Sequence, residues 1–290
     1  MKNRLIPPLV LAAAVSIAGC GASGSTTGST TSRAAGSTAA QQASTGSGTA
    51  ATTGAATGDS GTTTAASTVT GASRGTPAAG SRTRMVAELP GGATIAYTLV
   101  LPRAYAPGER FPVLVAFPPG GQGQQEVDAL LDTWWASEAL RRCWIVVSPV
   151  APGGGLFFGA SAARIPAFLD HIAAAYPPEG RKFHVAGVSN GGLSAFRAAI
   201  DSPARFSSLL VAPGFPPEAG DAVKLGRLKK IRVAMYVGSE DAGWREPSAR
   251  TAARLRRLGG SATLTVSPGE GHILTKVTAR ELYDALDATR

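Results

Sequence analysis

Phe183-His184-Val185-Ala186-Gly187-Val188-Ser189-Asn190-Gly191-Gly192 is the stretch that decides how this chain folds. The apolar, partly β-branched run up to Val188 reads as a strand, and from Gly191 to Ile200 apolar residues recur at three- and four-residue spacing, which reads as a helix. A strand that passes straight into a helix is the repeating unit of a parallel sheet covered by helices. The turn between them, Gly187-Val188-Ser189-Asn190-Gly191, fits G-x-S-x-G. Small residues on either side of Ser189 permit a tight, strained turn that lifts its Oγ above the end of the strand, and glycines let the helix pack close. The pattern is cheap outside that context. Gly71-Ala72-Ser73-Arg74-Gly75 fits it too, but no strand precedes Ser73, so it is discounted.

Working outward, apolar runs bounded by Gly and Pro predict strands near Met85–Leu89, Thr94–Leu101, Val113–Phe117, Trp144–Ser148, Phe183–Val188, Ser207–Ala212, Val233–Val237 and Ala262–Val266. Helical spacing appears over Gln125–Arg141, Ala162–Ala175, Gly191–Ile200, Pro247–Leu258 and Lys276–Thr289. The expected class is α/β: a mainly parallel eight-stranded sheet flanked by helices, with little or no lid. Ligands gather at the carboxyl ends of strands in such sheets, so candidate groups are sought there.

The chain has three histidines. His171 falls within a helical pattern and His184 within the strand before Ser189, and both read as structural. His272 follows the last strand in the loop Ser267-Pro268-Gly269-Glu270-Gly271, at a carboxyl end. An imidazole titrates near neutrality and can take and return a serine proton. After the seventh strand the sequence reads Gly238-Ser239-Glu240-Asp241. Two carboxylates compete to orient His272. Asp241 is preferred, because a loop opened by such a glycine usually presents its fourth member to the histidine in sequences of this kind; Glu240 is then a solvated neighbour. The order Ser189, Asp241, His272 differs from that of chymotrypsin-like and subtilisin-like proteases. After Val113–Phe117 comes Pro118-Pro119-Gly120-Gly121-Gln122-Gly123.

These four motifs in order resemble the α/β-hydrolase superfamily across Met85–Arg290. Within it, Gly153–Phe158 and the lid-free layout look most like secreted feruloyl esterases and polyhydroxybutyrate depolymerases, or the phospholipase/carboxylesterase group. The resemblance implies hydrolysis of carboxylic esters through an acyl-enzyme, with no metal and no organic cofactor. It also implies an oxyanion loop after the third strand, where proline stands in place of the family's histidine. With Pro119 in that place, Gly121 and Asn190 supply the two backbone N–H donors; Gln122 is the alternative if the loop is shifted by one, and a plain glycine-rich turn is the bland reading. Phe157, Phe158 and Trp244 are candidate substrate-binding groups on loops at the same edge, with core packing as the competing role. A serine peptidase of the same fold and a non-catalytic surface-binding module are the other functions to separate.

Composition divides the chain. Up to about Thr83 it is mostly Ala, Gly, Ser and Thr, which cannot bury enough apolar surface to offset ordering entropy. The expected organisation is a signal peptide over residues 1–19, a disordered linker over 20–84 and one folded domain over 85–290. The net charge is +9, but Lys2, Arg4, Arg33, Arg74, Arg82 and Arg84 precede Met85 against one acid, Asp59. The remainder is mildly basic, and no nucleic-acid motif accompanies it, so a nucleic-acid partner is not expected.

Lys2 and Arg4 precede an apolar run to Ala18, which ends in Ile17-Ala18-Gly19-Cys20. This is a signal-peptide pattern that resembles the bacterial lipoprotein lipobox. The resemblance implies cleavage before Cys20, acylation there, and export to a bacterial membrane facing the periplasm or the cell surface. Cys143 is then expected as a lone, buried structural thiol. The expected partners are that membrane and a small-molecule or polymer-borne ester.

Overall fold

The computed structural model describes residues 76–290. The expected signal peptide, Cys20 and most of the expected linker lie outside the described residues.

Eight strands form one sheet: β1 (Arg82–Glu88), β2 (Thr94–Val100), β3 (Val113–Phe117), β4 (Ile145–Pro149), β5 (Phe183–Gly187), β6 (Phe206–Val211), β7 (Arg232–Gly238) and β8 (Ser261–Ser267). Their spatial order is β1-β2-β4-β3-β5-β6-β7-β8. β2 runs antiparallel to both β1 and β4, and every later pairing is parallel. Burial follows position. Every residue of β3, β4 and β5 is buried, as expected of central strands covered on both faces, whereas edge strand β1 alternates. The fold therefore matches the predicted class.

The helices are α1 (Gln124–Leu130), α2 (Ala136–Arg142), α3 (Ile165–Ala175), α4 (Asn190–Asp201), α5 (Ala219–Val223), α6 (Ala242–Arg257) and α7 (Ala279–Asp287). One face of the sheet packs on α3, α4 and α6 through Phe168, Phe196 and Leu255; the other packs on α1, α2 and α7 through Val127, Ala139 and Tyr283. On the second face Tyr283 Oη donates to Trp135 O at 2.8 Å, and its ring meets Trp135 and Trp144, each at 5.7 Å.

Four departures from the sequence expectation have local causes. The strand expected from Met85 begins at Arg82, because Arg82 and Arg84 find partners in Asp128 and Asp132 at 2.5 to 2.8 Å. The helix expected over Gln125–Arg141 widens into a π turn at Leu131–Trp135. Adjacent residues on a regular helix point about 100° apart, and the turn falls where two neighbouring indoles, Trp134 and Trp135, are both buried. α6 begins at Ala242 and runs through Pro247 instead of starting there. The carbonyl that the proline leaves without a partner belongs to Gly243, which is exposed to water. Cys143 ends α2 in the left-handed region (φ 62°) and is half-buried. Its thiol is not free, in contrast to the lone thiol expected.

The loops leaving β3, β5, β6, β7 and β8 open at one edge of the parallel sheet. Over that edge, the excursion between β6 and β7 adds only the short α5 and a 3₁₀ helix over Lys224–Leu228.

Candidate active site

At the end of β5 the chain turns so sharply that Ser189 takes φ 55° and ψ −120° before α4 starts at Asn190. A residue with a side chain rarely adopts that conformation, which costs about 1–3 kcal/mol and persists only where its surroundings over-determine it. They do so here. Ser189 N donates to Pro213 O at 3.0 Å and Gly191 N to Val188 O at 2.8 Å. A Cβ at Gly187 would lie 2.0 Å from Gly191 O, and one at Gly191 would lie 2.1 Å from Phe117 O. The turn, the start of α4 and the end of β3 are thus in backbone contact that only glycine permits.

The elbow presents Ser189 Oγ to His272. The hydroxyl donates to Nε2 at 2.9 Å, while Nδ1 donates to Asp241 Oδ2 at 2.7 Å. A carboxylate can only accept, so it holds the ring proton on Nδ1 and leaves Nε2 as the acceptor. Of the two competing acids, Asp241 meets the imidazole. The Glu240 side chain is exposed, and only its backbone is engaged: its N–H donates to Glu270 O at 2.9 Å and its carbonyl accepts from Ala242 N at 3.1 Å. The other two histidines belong to the body of the fold. His171 lies on α3 beside Tyr97. His184 is buried against Trp144 and within 2.7 Å of Ser208 Oγ; burial, helped by the Arg290 charge, pushes its imidazole down to about 4.

The acid and histidine loops are knitted together. Ser239 N donates to Ser267 O at 2.9 Å, and Gly269 N donates to Ser239 Oγ at 2.8 Å. A Cβ at Gly238 would meet Gly271 O at 2.1 Å. Glu270, which the sequence reading passed over as loop, is buried. Its Oε1 accepts from Thr275 N at 2.5 Å, Lys276 N at 2.7 Å and Thr275 Oγ1 at 2.8 Å. The Ser267 hydroxyl, opposed by burial and reinforced by those donors, holds its carboxyl down to about 2. A carboxylate whose folded value is depressed stabilises the fold above its unfolded value, and that contribution is lost as pH falls through the folded one. Between about 4.5 and about 2, therefore, wild-type stability should fall with pH more steeply than that of Glu270→Gln. Urea midpoints measured across that range check this; equal slopes would refute it.

The candidate oxyanion loop runs from Pro118 to Gly123. Gly121 N–H and Asn190 N–H have no acceptor among the described residues, whereas Gln122 N–H is taken by Pro119 O at 3.0 Å. The alternative donor is thereby occupied. Gln122 has another role. Its side chain is fully buried, donates to Ser194 Oγ on α4 at 2.8 Å and to Pro118 O at 3.2 Å, and accepts from Phe157 N at 2.8 Å. Asn190 Nδ2 adds a bond to Gly120 O at 2.9 Å. The loop is thus clamped to the helix that carries the elbow.

The three aromatic candidates separate. Phe157 is 1% exposed and packs on Phe117 at 5.2 Å between ring centroids, which corrects its expected substrate contact: it is a core residue. Phe158 is half-buried. Trp244 is half-buried with its ring 4.9 Å from the His272 imidazole and 5.0 Å from Phe215. Among the described residues, no group of three or more His, Cys, Asp or Glu is placed to hold a metal, and no helix is long and apolar enough to cross a membrane.

No family model and no curated sequence matches the chain. Solved structures do. A thermostable esterase superposes with a TM-score of 0.54 at 18% identity, over 64% of this chain and 54% of that one. The dipeptidyl peptidase 4 of Porphyromonas gingivalis gives 0.55 at 14% identity, over 73% and 35%. A mutant feruloyl esterase module from Clostridium thermocellum, complexed with sinapinate, gives 0.53 at 17% identity, over 73% and 88%. This is the α/β-hydrolase fold. The chain spans about half of the thermostable esterase and about a third of the peptidase. At such identities the likeness establishes the α/β-hydrolase fold, and the chemistry has to be argued from the residues gathered at its sheet edge.

Proposed function

We propose that this chain is a serine hydrolase that cleaves carboxylic esters through an acyl-enzyme, with Ser189 as nucleophile, His272 as general base and acid, and Asp241 orienting the imidazole. The observation that carries the reading is the continuous hydrogen-bond relay from Asp241 through His272 to a serine held at positive φ. Ser189 Oγ attacks the carbonyl carbon as its proton passes to His272 Nε2. The tetrahedral oxyanion forms in reach of Gly121 and Asn190 N–H, whose lack of internal acceptors leaves them available for it. Collapse expels the alcohol, which takes the proton from Nε2, and water then repeats the sequence on the acyl group.

Turnover of p-nitrophenyl esters from acetate to palmitate by the full chain, with fluorophosphonate labelling of Ser189, tests the proposal. Labelling with ester turnover is expected; a folded chain inert to both would leave a binding module. The likeness to a dipeptidyl peptidase motivates a second arm with dipeptidyl p-nitroanilides, whose preferential cleavage would replace the esterase reading with a peptidase one.

Gln122 is a positioning residue in this scheme. Gln122→Leu removes the clamp and leaves buried Pro118 O and Phe157 N–H short of a partner, at about 1–3 kcal/mol each before relaxation, while Ser194 Oγ keeps only its bond to Asn190 O. We expect a lower melting temperature and a kcat reduced by about 10²–10³ with KM little changed, because the misplaced donors serve the transition state. A variant that loses stability alone would confine Gln122 to the core.

The proposed location is a bacterial membrane, through acylation of Cys20. The intact mass of the exported protein checks this: a lipid adduct at Cys20 is expected, and an unmodified chain would refute it.

A further inference from the structure

α6 begins beside the candidate active site and carries a stripe away from it. Trp244, Pro247, Arg250, Thr251, Arg254 and Arg257 recur at three- and four-residue spacing and so share one face of the helix. The first of them packs against His272, with the two rings tilted at 53°. From Pro247 onward the stripe forms one wall of an open groove of about 500 Å³. The facing wall is the segment after β6, with Phe215, Pro217, Ala222 and Leu225. Phe215 joins both walls, since its ring lies 5.0 Å from that of Trp244.

The groove carries an excess of positive charge. Glu218 lines it but pairs with Arg197 at 2.8 Å, and Arg250 pairs with Glu246 at 2.5 Å. Arg254 and Arg257 have no acidic partner among the described residues. Apolar walls with guanidinium groups beyond them suit a chain that is carbon-rich along its length and anionic farther out.

Direction follows from the chemistry. His272 Nε2 must hand its proton to the departing oxygen, so the leaving group lies on the imidazole side of Ser189, where Trp244 and the groove begin. We propose that this groove is a subsite for the alcohol arm of the ester and that it selects an arm bearing a carboxylate. Arg250 is six residues along α6 from Trp244 and Arg254 is ten, or roughly 9 and 15 Å at the helical rise. Only arms long enough to cover that distance reach the charges.

The inference rests on the esterase reading, and its test separates the two. Acetate esters of ω-hydroxy acids of increasing length are compared with the corresponding primary amides, using acetate release by the full chain. Acetylated polyuronate and an acetylated neutral polysaccharide form a second arm, which distinguishes a small acid from an acidic polymer as the source of the carboxylate. For short arms the acid and amide should be equivalent. For long arms the acid should be preferred about two- to five-fold in kcat/KM, mainly through KM, the scale of partly exposed charge pairs. That ratio should fall to one at high salt and in Arg254→Glu/Arg257→Glu, whose exposed positions leave folding intact. Equal turnover of acid and amide at every length, or a preference that survives charge reversal, overturns the subsite while the esterase reading stands. If no ester is cleaved, calorimetric titration with the long ω-hydroxy acid against its amide still decides the groove: equal or absent binding overturns it, and charge-dependent binding of the acid alone supports it.

Discussion

Ser189→Ala is expected to lower ester turnover by about 10⁴- to 10⁶-fold while leaving the melting temperature close to that of the wild type. The side chain is half-buried, and its hydroxyl bonds only His272, so the substitution opens no core cavity and orphans no buried group. All of its effect should fall on the reaction. His272→Ala should cost a similar factor, and the double variant little more than either, because nucleophile and base act as one unit: a hydroxyl without its acceptor and an imidazole without its donor are equally idle. Burst kinetics on a p-nitrophenyl ester, with fluorophosphonate labelling, measure this. Additive losses in the double variant would show that the two groups do not act together, and a Ser189→Ala variant that still turns over would remove the serine from the mechanism.

Asp241→Asn should lower kcat by about 10⁴-fold, whereas Glu240→Gln next to it should change kcat by no more than about two-fold. An asparagine amide facing Nδ1 can donate there, which moves the ring proton to Nε2, the nitrogen that has to accept from Ser189. The imidazole then sits in place as the wrong tautomer. Glu240 touches the site only through its backbone, so removing its charge disturbs neither loop. The comparison is sharp because the two carboxylates are adjacent in sequence and carry equal charge. Equal losses would mean that the field of the loop matters, not the hydrogen bond at 2.7 Å.

What the sequence determined by itself is whatever depends on neighbours a few residues away. The strand periods, the strand-turn-helix passage through Gly187–Gly191 and the order of Ser189, Asp241 and His272 along alternating strands and helices are local properties, and they implied eight strands, a mainly parallel sheet and one edge where the groups would gather. The tertiary structure decided what depends on separations of tens of residues. Gln122 reads as a turn residue until Ser194 and Phe157 arrive, 72 and 35 positions away. Phe157 reads as an exposed loop aromatic until Phe117 covers it. Asp241 is preferred over Glu240 from its place in the loop, but it is the path of the folded loop that carries its carboxylate to His272. Glu270 becomes a buried anchor only when the chain folds back over it at Thr275 and Lys276. The arginines of α6 share a helix face, and only the segment after β6 makes them one wall of a groove. In each case the backbone pattern was legible because hydrogen bonding and side-chain period are short-ranged, while side-chain roles were not, because burial and partnership are properties of distant segments brought together.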